Sequence, residues 1–170
     1  MKAHIIKNKK TAESEKNKNT EKPFESDEEF WKALDDIAAK KQDFETTRQF
    51  INVLKKGYIE ECSILIVGIE DVNGKDTVNQ ACIWNGENKV MLYLTDEKYC
   101  NGEYKFFPVT IAQRPHCVKA YICDVINNAL EKEEVSAIVF NHGSEHEVVI
   151  PKFILSLCFE KLYKLMKSDE

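Results

Sequence analysis

The sequence predicts an α+β fold, in which a mainly antiparallel or mixed sheet packs with helices in a single domain. Continuous apolar runs between turn residues predict strands in the middle of the chain, and apolar residues at helical spacing predict helices on either side of them. The strands cluster rather than alternate strictly with helices, which favours α+β over a doubly wound sheet. A length of 170 residues leaves room for one domain and a tail.

Two helices are predicted before the first strand. Ser26 opens a Ser-Asp-Glu-Glu segment typical of a capping box, with Phe24 and Phe30 at the staple positions. The apolar face of this helix consists of Phe30, Leu34, Ile37 and Ala38. The second helix is predicted from about Thr47 to Lys56, and Gly57 is interpreted as its left-handed stop. Its inward residues are Phe50, Ile51, Val53 and Leu54.

The middle of the chain is rich in predicted strands. They comprise residues 64–67, 81–84, 90–94 and 106–111. The first is an unbroken apolar run, which is expected of a central strand covered on both faces, so a residue such as Ile66 is predicted to be buried. Turn residues at 71–74 and at Asn85-Gly86 join the first three strands and predict an antiparallel meander. In the fourth strand, Pro108 lacks an amide donor and therefore predicts an edge or a bulge.

The last third of the chain returns to helical spacing. Apolar residues from Val118 to Leu130 predict a helix, which is followed by strands at 137–140 and 148–150. Pro151 suits the first turn of a final helix. The residues predicted to face inward on that helix are Phe153, Ile154, Leu157, Cys158, Leu162, Leu165 and Met166.

The charge is divided unevenly between a tail and a body. Residues 1–25 contain seven Lys and four Glu, a charge of +3, so the remaining chain carries −8 within a total of −5. The tail has too few apolar residues to offset the entropy of ordering, and we predict a disordered segment at 1–25 followed by one domain at 26–170. The acidic body opposes the phosphate contacts that drive nucleic-acid binding, and no nucleic-acid partner is expected.

The sequence favours a cytoplasmic protein with reduced thiols. No apolar run approaches the length of a membrane span, and the first residues lack the apolar core of a secretory signal. Without an export signal, the six cysteines are interpreted as free thiols rather than as a disulfide framework.

No motif in the chain predicts catalytic, cofactor or metal chemistry. The loop from Gly68 to Asp76 has five residues between its glycines where a phosphate-binding loop has four, and Asp76 follows its lysine. His142 and His146 flank Gly143 in a predicted turn, and no pair of cysteines has the spacing of a structural zinc site. The sequence therefore predicts no catalytic residues, no cofactor and no metal ion.

Residues 50–159 resemble the N-terminal domain of the SseB family. The resemblance rests on six features in chain order. They are the strand at 64–69, the Asn85-Gly86 turn, the Val-Met-Leu-Tyr-Leu-Thr-Asp-Glu segment at 90–97, the helix at 118–130, the Val-Ser-Ala-Ile-Val-Phe-Asn segment at 135–141 and the Val-Val-Ile-Pro segment at 148–151. His142 stands where the family has Pro, and Leu94 where it has Phe. The family name is linked to serine sensitivity and type III secretion, and the domain has no established chemistry. The resemblance thus implies a fold and no catalytic residue.

The function that we expect is a non-enzymatic cytoplasmic interaction or regulatory module of SseB-like fold. Its partner would be another protein, neither nucleic acid nor membrane. Phe30, Trp31 and the C-terminal helix would either supply an apolar contact face or only close the core. The alternative is a small ligand-binding domain or enzyme that uses the loop from Asn141 to His146. The sequence leaves the oligomeric state open.

Overall fold

The structure of the protein is a computed structural model that describes residues 22–69, 79–80, 82–100 and 115–168. These ranges contain α1 (Asp27–Ala38), α2 (Phe44–Ile59), β1 (Ser63–Ile69), β2 (Asn79–Gln80), β3 (Cys82–Asn85), β4 (Asn88–Leu94), a 3₁₀ turn (Glu97–Tyr99), β5 (Pro115–Tyr121), α3 (Ile122–Glu131), β6 (Val135–Phe140), β7 (Val148–Pro151) and α4 (Lys152–Ser168). The predicted α+β class is confirmed, because the strands join one mixed sheet that packs with helices.

Helix α1 begins where the capping motif predicts. Ser26 accepts a hydrogen bond from the Glu29 amide at 3.2 Å, and Glu29 reaches back to the amide of Glu25 at 2.7 Å. The predicted staple also forms, with the Phe24 and Phe30 ring centroids 5.4 Å apart. The Phe24 amide donates to the Glu60 carboxylate at 3.0 Å. Ordered contacts therefore begin upstream of residue 26, within the segment assigned to the tail by composition; residues 1–21 lie outside the described chain.

The prediction that Gly57 ends the second helix is wrong. Helix α2 continues through it to Ile59, and Glu61 takes the left-handed conformation instead, with φ of 55°. A Cβ atom at position 57 would lie 2.4 Å from the buried Phe30 ring. Glycine is thus required here because helices α1 and α2 approach closely. From the sequence alone, such a glycine cannot be distinguished from one that ends a helix.

Strand β1 is central in the sheet, as its apolar run predicts. It pairs antiparallel with β5 along one edge and with β4 and β2 along the other. Ile64 packs on the helix side and Leu65 on the opposite side, so both faces of the strand are covered. Ile66, however, is only partly buried.

The rest of the sheet extends from β4 to the other edge. β4 pairs parallel with β6, which pairs antiparallel with β7. β3 forms a hairpin with β4 at the predicted turn, but β1 pairs directly with β4, so the predicted meander order is wrong. Gly86 in that hairpin has a φ of 65°, in the region that favours glycine. The turn at 71–74, the strand at 106–111 and most of the loop from Gly68 to Asp76 fall outside the described residues.

The helix predicted from Val118 begins four residues too early. Val118 and Tyr121 belong to β5, which pairs with β1 along its whole length, and α3 starts only at Ile122. Apolar residues three and four positions apart occur within a helix and also where a strand runs directly into a helix. This spacing therefore does not locate the start of α3. The outcome was decided by the long pairing with β1, which is a tertiary effect.

The inward face of α4 differs from the prediction. Leu155 and Phe159 are fully buried on the core of helices and sheet, with Ile154, Cys158 and Leu162 partly buried beside them. Three residues predicted to point inward are exposed: Phe153 at 64%, Leu157 at 79% and Leu165 at 55%. The helix has more apolar residues than one neighbouring layer can cover, so part of its apolar surface faces outward.

Candidate functional site

A cluster of polar side chains lies at the end of the sheet where β4 and β6 finish. We call it the Asp35 cluster; its members are Asp35, Thr95, Tyr99, Asn141 and His146. Asp35 comes from α1, Thr95 follows β4, Tyr99 ends the 3₁₀ turn, and the other two belong to the β6–β7 loop. The fold thus joins three segments that are distant in the sequence: α1, residues 95–99 and the β6–β7 loop.

Asn141 anchors the β6–β7 loop to the end of β4. It is fully buried and has a φ of 53°, a left-handed conformation that Asn tolerates better than most residues. Its Oδ1 accepts from the Thr95 amide at 2.9 Å, and its Nδ2 donates to Thr95 Oγ1 at 2.8 Å. The Nδ2 also donates to the His146 carbonyl at 3.3 Å. The side chain therefore fixes both its own loop and the neighbouring chain.

Asp35 is the centre of the cluster. Its Oδ1 accepts from the Tyr99 hydroxyl at 2.6 Å and from Thr95 Oγ1 at 3.1 Å, and it lies 3.0 Å from Nδ1 of His146. Its Oδ2 accepts from the Lys98 ammonium at 3.1 Å. Because Tyr99 donates its single proton to Asp35, the 2.6 Å contact between its oxygen and His146 Nδ1 requires that Nδ1 carry a proton. This fixes the ring orientation and leaves Nε2 as the acceptor in neutral His146.

These donors stabilise Asp35 as a carboxylate. Partial burial raises its pKa, but the hydrogen bonds from Tyr99, His146 and Lys98 outweigh burial and lower the pKa from 3.8 to about 2. Asp35 is therefore ionised at neutral pH and does not act as a general acid there. An Asp–His pair can orient a general base, but the Tyr99 and Thr95 hydroxyls bond on the Asp35 side of the ring and are not placed as nucleophiles on Nε2.

Replacing Asp35 with Asn should weaken the acid dependence of folding. Because the folded pKa lies below the unfolded value, the carboxylate stabilises the fold above about pH 4, and this contribution is lost as the pH falls from 3.8 towards 2. We expect Asp35→Asn to lower the free energy of unfolding by about 1–3 kcal/mol at pH 7. Urea unfolding of both proteins from pH 7 to pH 2 measures this difference, which should shrink below pH 4. A difference independent of pH would contradict the role of the ionised carboxylate.

The loop from Asn141 to His146 forms the connection that its glycine predicts. Gly143 has a φ of 76°, and the loop joins the antiparallel strands β6 and β7. His142 Nδ1 lies 2.6 Å from the Glu147 carboxylate, which also accepts from the Gly143 amide at 2.7 Å. The two histidines thus contact different acidic residues, Glu147 and Asp35. Among the described residues, no group of three or more His, Cys, Asp and Glu is arranged to hold a metal ion.

A shallow cleft of about 400 Å³ lies beside the cluster, between α1 and the chain that follows β4. The described residues that line it are Glu28, Trp31, Lys32, Asp35, Thr95, Asp96 and Glu97. Three of its four acidic groups have cationic neighbours: Lys98 lies within 3.4 Å of both Asp35 and Asp96, and Lys119 lies 3.6 Å from Glu28. The loop from Asn141 to His146 supports the cleft through Asp35 and Thr95 but does not line it.

The cysteine thiols are free, and two of them have strongly raised pKa values. Burial raises the pKa of Cys62 to about 11 and that of Cys117 to about 12. Both thiols are protonated near neutral pH, which is the opposite of an activated cysteine nucleophile.

Of the three elements proposed for an apolar contact face, only the C-terminal helix exposes apolar side chains. Phe30 is fully buried. The Trp31 indole donates to the Ser63 carbonyl at 2.7 Å and is covered by the Lys119 ammonium, 4.8 Å from its ring. Helix α4, by contrast, carries an exposed row at four-residue spacing, which we call the outer α4 face: Phe153, Leu157, Lys161 and Leu165.

The sequence gives no signal for most of the Asp35 cluster. Asp35 lies among other charged residues on the polar side of an amphipathic helix, and its partners Thr95 and His146 are 60 and 111 positions away. Only the loop from Asn141 to His146 stands out, through its histidines and its glycine. Nothing in the local patterns pairs this loop with α1.

The described chain has no helix of the length and apolar character needed to cross a membrane. Comparisons of the sequence and structure with protein-family models, curated proteins and solved structures return no match.

Proposed function

We propose that this protein is a non-enzymatic cytoplasmic interaction module of SseB-like fold that binds a partner protein through the outer α4 face. The observation that carries the proposal is the exposure of Phe153, Leu157 and Leu165 on one helix whose opposite side is buried in the core. Large apolar side chains gathered on one exposed surface are typical of protein interaction sites.

The form of this surface favours a helix as the binding element. Successive residues at four-residue spacing create a ridge along a helix, and such ridges pack into the grooves of another helix. The ridge residues themselves border a shallow, open groove along α4, which is lined by Ser156, Leu157, Glu160, Lys161, Lys164 and Leu165. A partner helix with its own apolar ridge would fill it.

The charges on this surface favour a protein over nucleic acid. Glu160 lies beside Lys161 and Lys164 and forms an ion pair with Lys164 at 2.6 Å. These two lysines and one glutamate leave a net charge of only +1, and the whole chain carries −5, which is unfavourable for a surface that binds a run of phosphate groups.

The Asp35 cluster supports the non-enzymatic part of the proposal. Asn141, Tyr99 and His146 are each hydrogen-bonded within the cluster, and Asp35 is held as a carboxylate. Such a network holds a loop in place. The alternative function, a ligand site or enzyme using the loop from Asn141 to His146, stays a prediction.

Affinity capture with three variants of the full chain tests the proposal. Native lysate of the organism that encodes the chain is passed over immobilised wild type, Leu157→Glu and Phe44→Glu. Phe44 is 85% exposed on α2, and it serves as a matched control for the loss of one exposed apolar residue. We expect a partner that wild type and Phe44→Glu retain and that Leu157→Glu loses.

Identical capture by all three variants would contradict a docking role for the outer α4 face. Because Leu157 is exposed, Leu157→Glu should change the free energy of unfolding by no more than about 0.5 kcal/mol. An unchanged thermal unfolding curve therefore separates loss of binding from loss of fold.

A further inference from the structure

We propose that Cys100 and Cys117 form a reversible disulfide by exchange with a low-molecular-weight disulfide of the glutathione type. This site would make the stability of the protein depend on the redox state of its surroundings. It is separate from the outer α4 face, and its evidence is the place of the two thiols in the fold.

The fold brings the two cysteines together on one face of the sheet. Cys117 lies on β5 opposite Val67 of β1, and Cys100 follows the 3₁₀ turn after β4. The thiols of Cys100 and Cys117 form a hydrogen bond with each other, and two thiols in contact need only a small further approach to reach the S–S bond length of about 2 Å. Both side chains pack against the same buried cluster, which consists of Leu65, Val67, Leu92, Leu94, Tyr99 and Val139.

This arrangement selects one pair among the six cysteines. Cys100 and Cys117 are both partly exposed, so a small oxidant can reach them. A thiol that lies next to a second, resolving cysteine is typical of reversible redox sites. The remaining cysteines belong to or pack against the core cluster on the helix side of the sheet: Cys62, Cys82, Cys123 and Cys158.

The two thiols take different parts in the exchange. Burial, together with the hydrogen bond and the charge of the neighbouring Cys100, raises the pKa of Cys117 to about 12. Cys100 therefore reacts first. Its thiolate attacks the oxidant, forms a mixed disulfide with one glutathione and releases the other glutathione as a thiolate.

Cys117 completes the reaction. The mixed disulfide removes the negative charge of Cys100, and with it part of the cause that keeps Cys117 protonated. Cys117 then gives its proton to the solvent and attacks the Cys100 sulfur, which releases the second glutathione. Two protein thiols are thereby oxidised to one disulfide, and one glutathione disulfide is reduced to two glutathione molecules.

The disulfide would join β5 covalently to the turn that follows β4. Residues 101–116 lie between the two cysteines in the sequence, so the cross-link restricts the unfolded chain and stabilises the fold. For a loop of this length, we expect the melting temperature of the oxidised protein to exceed that of the reduced protein by about 10 °C.

Treatment of the purified full chain with oxidised glutathione at neutral pH tests the pair. The remaining thiols are blocked with N-ethylmaleimide, and mass spectrometry of a non-reduced digest identifies the linked peptides. We expect wild type and Cys158→Ser each to lose two thiols and to link Cys100 with Cys117, and dithiothreitol should reverse the link. Cys158 is the matched control because it is also partly buried but packs on the other cluster. A wild type that keeps all six thiols, links another pair or stops at a mixed disulfide would overturn the proposal.

Two single variants test the order of reaction and the stabilising effect. Cys117→Ser should stop at a mixed disulfide on Cys100, whereas the thiol left in Cys100→Ser should react at least about tenfold more slowly. Equal rates at the two positions would overturn the assigned order. Oxidation should raise the melting temperature of wild type and Cys158→Ser only. A rise of the same size in Cys100→Ser or Cys117→Ser would overturn the stabilising role of this disulfide.

Discussion

Replacing Ile64 with alanine should lower the free energy of unfolding by about 2–5 kcal/mol. Ile64 is fully buried in β1, between the helices and the pairing strands on both sides. The loss combines the transfer of apolar atoms to water with the cavity left in a layer that cannot collapse. Urea unfolding at neutral pH measures the change.

The matched control for Ile64 is Ile66, which lies two residues further along the same strand and packs on the same side. Because Ile66 is only partly buried, its replacement by alanine should cost less than that of Ile64. A larger loss at Ile66 would contradict the observed burial and would restore the expectation from the apolar run alone.

Replacing Asn141 with alanine should lower the free energy of unfolding by about 2–4 kcal/mol. The buried amide of Thr95 would lose its acceptor, at a cost of about 1–3 kcal/mol, and alanine would occupy a left-handed conformation at about 1 kcal/mol more. Chemical unfolding monitored by circular dichroism gives the total.

The variant Asn141→Gly separates these two contributions. Glycine accepts the φ of 53° without strain but restores none of the hydrogen bonds to Thr95. We expect it to be destabilised by less than Asn141→Ala. If the glycine variant were as stable as wild type, the hydrogen bonds of Asn141 would contribute nothing, and the account of the Asp35 cluster as a lock on the loop would be wrong.

Sequence patterns predicted an element correctly where the residues that cause it to form lie close together in the chain. The capping box at Ser26 and the run from Ile64 have their physical reasons within a few residues, and the structure contains both the cap and the central strand, although Ile66 is only partly buried. The prediction that Gly57 ends the second helix was wrong because glycine occurs both in turns and where two elements approach closely. The Phe30 ring, which requires the glycine here, belongs to another helix.

The candidate site could be predicted only in part, for the same reason. The glycine and the histidines of the β6–β7 loop are local signals, and they predicted a turn without metal-ligand spacing. The carboxylate that His146 contacts lies on α1, and Tyr99 completes the contact from a third segment. A polar residue on an amphipathic helix is predicted to be exposed to solvent, because the sequence does not show which distant residues pack against it.

The sequence by itself determined the class of fold, the central place of β1 and the ends of several elements, because hydrophobic periodicity and capping chemistry act over a few residues. Only the tertiary structure decided which apolar residues of α4 face outward, and which polar groups surround Asp35. Both depend on what lies opposite in space: α4 is covered on one side only, which leaves Leu157 exposed, while residues 95–99 and the β6–β7 loop converge on the carboxylate of Asp35. Burial and electrostatic surroundings are properties of the packed chain, so they exist only once its distant parts have come together.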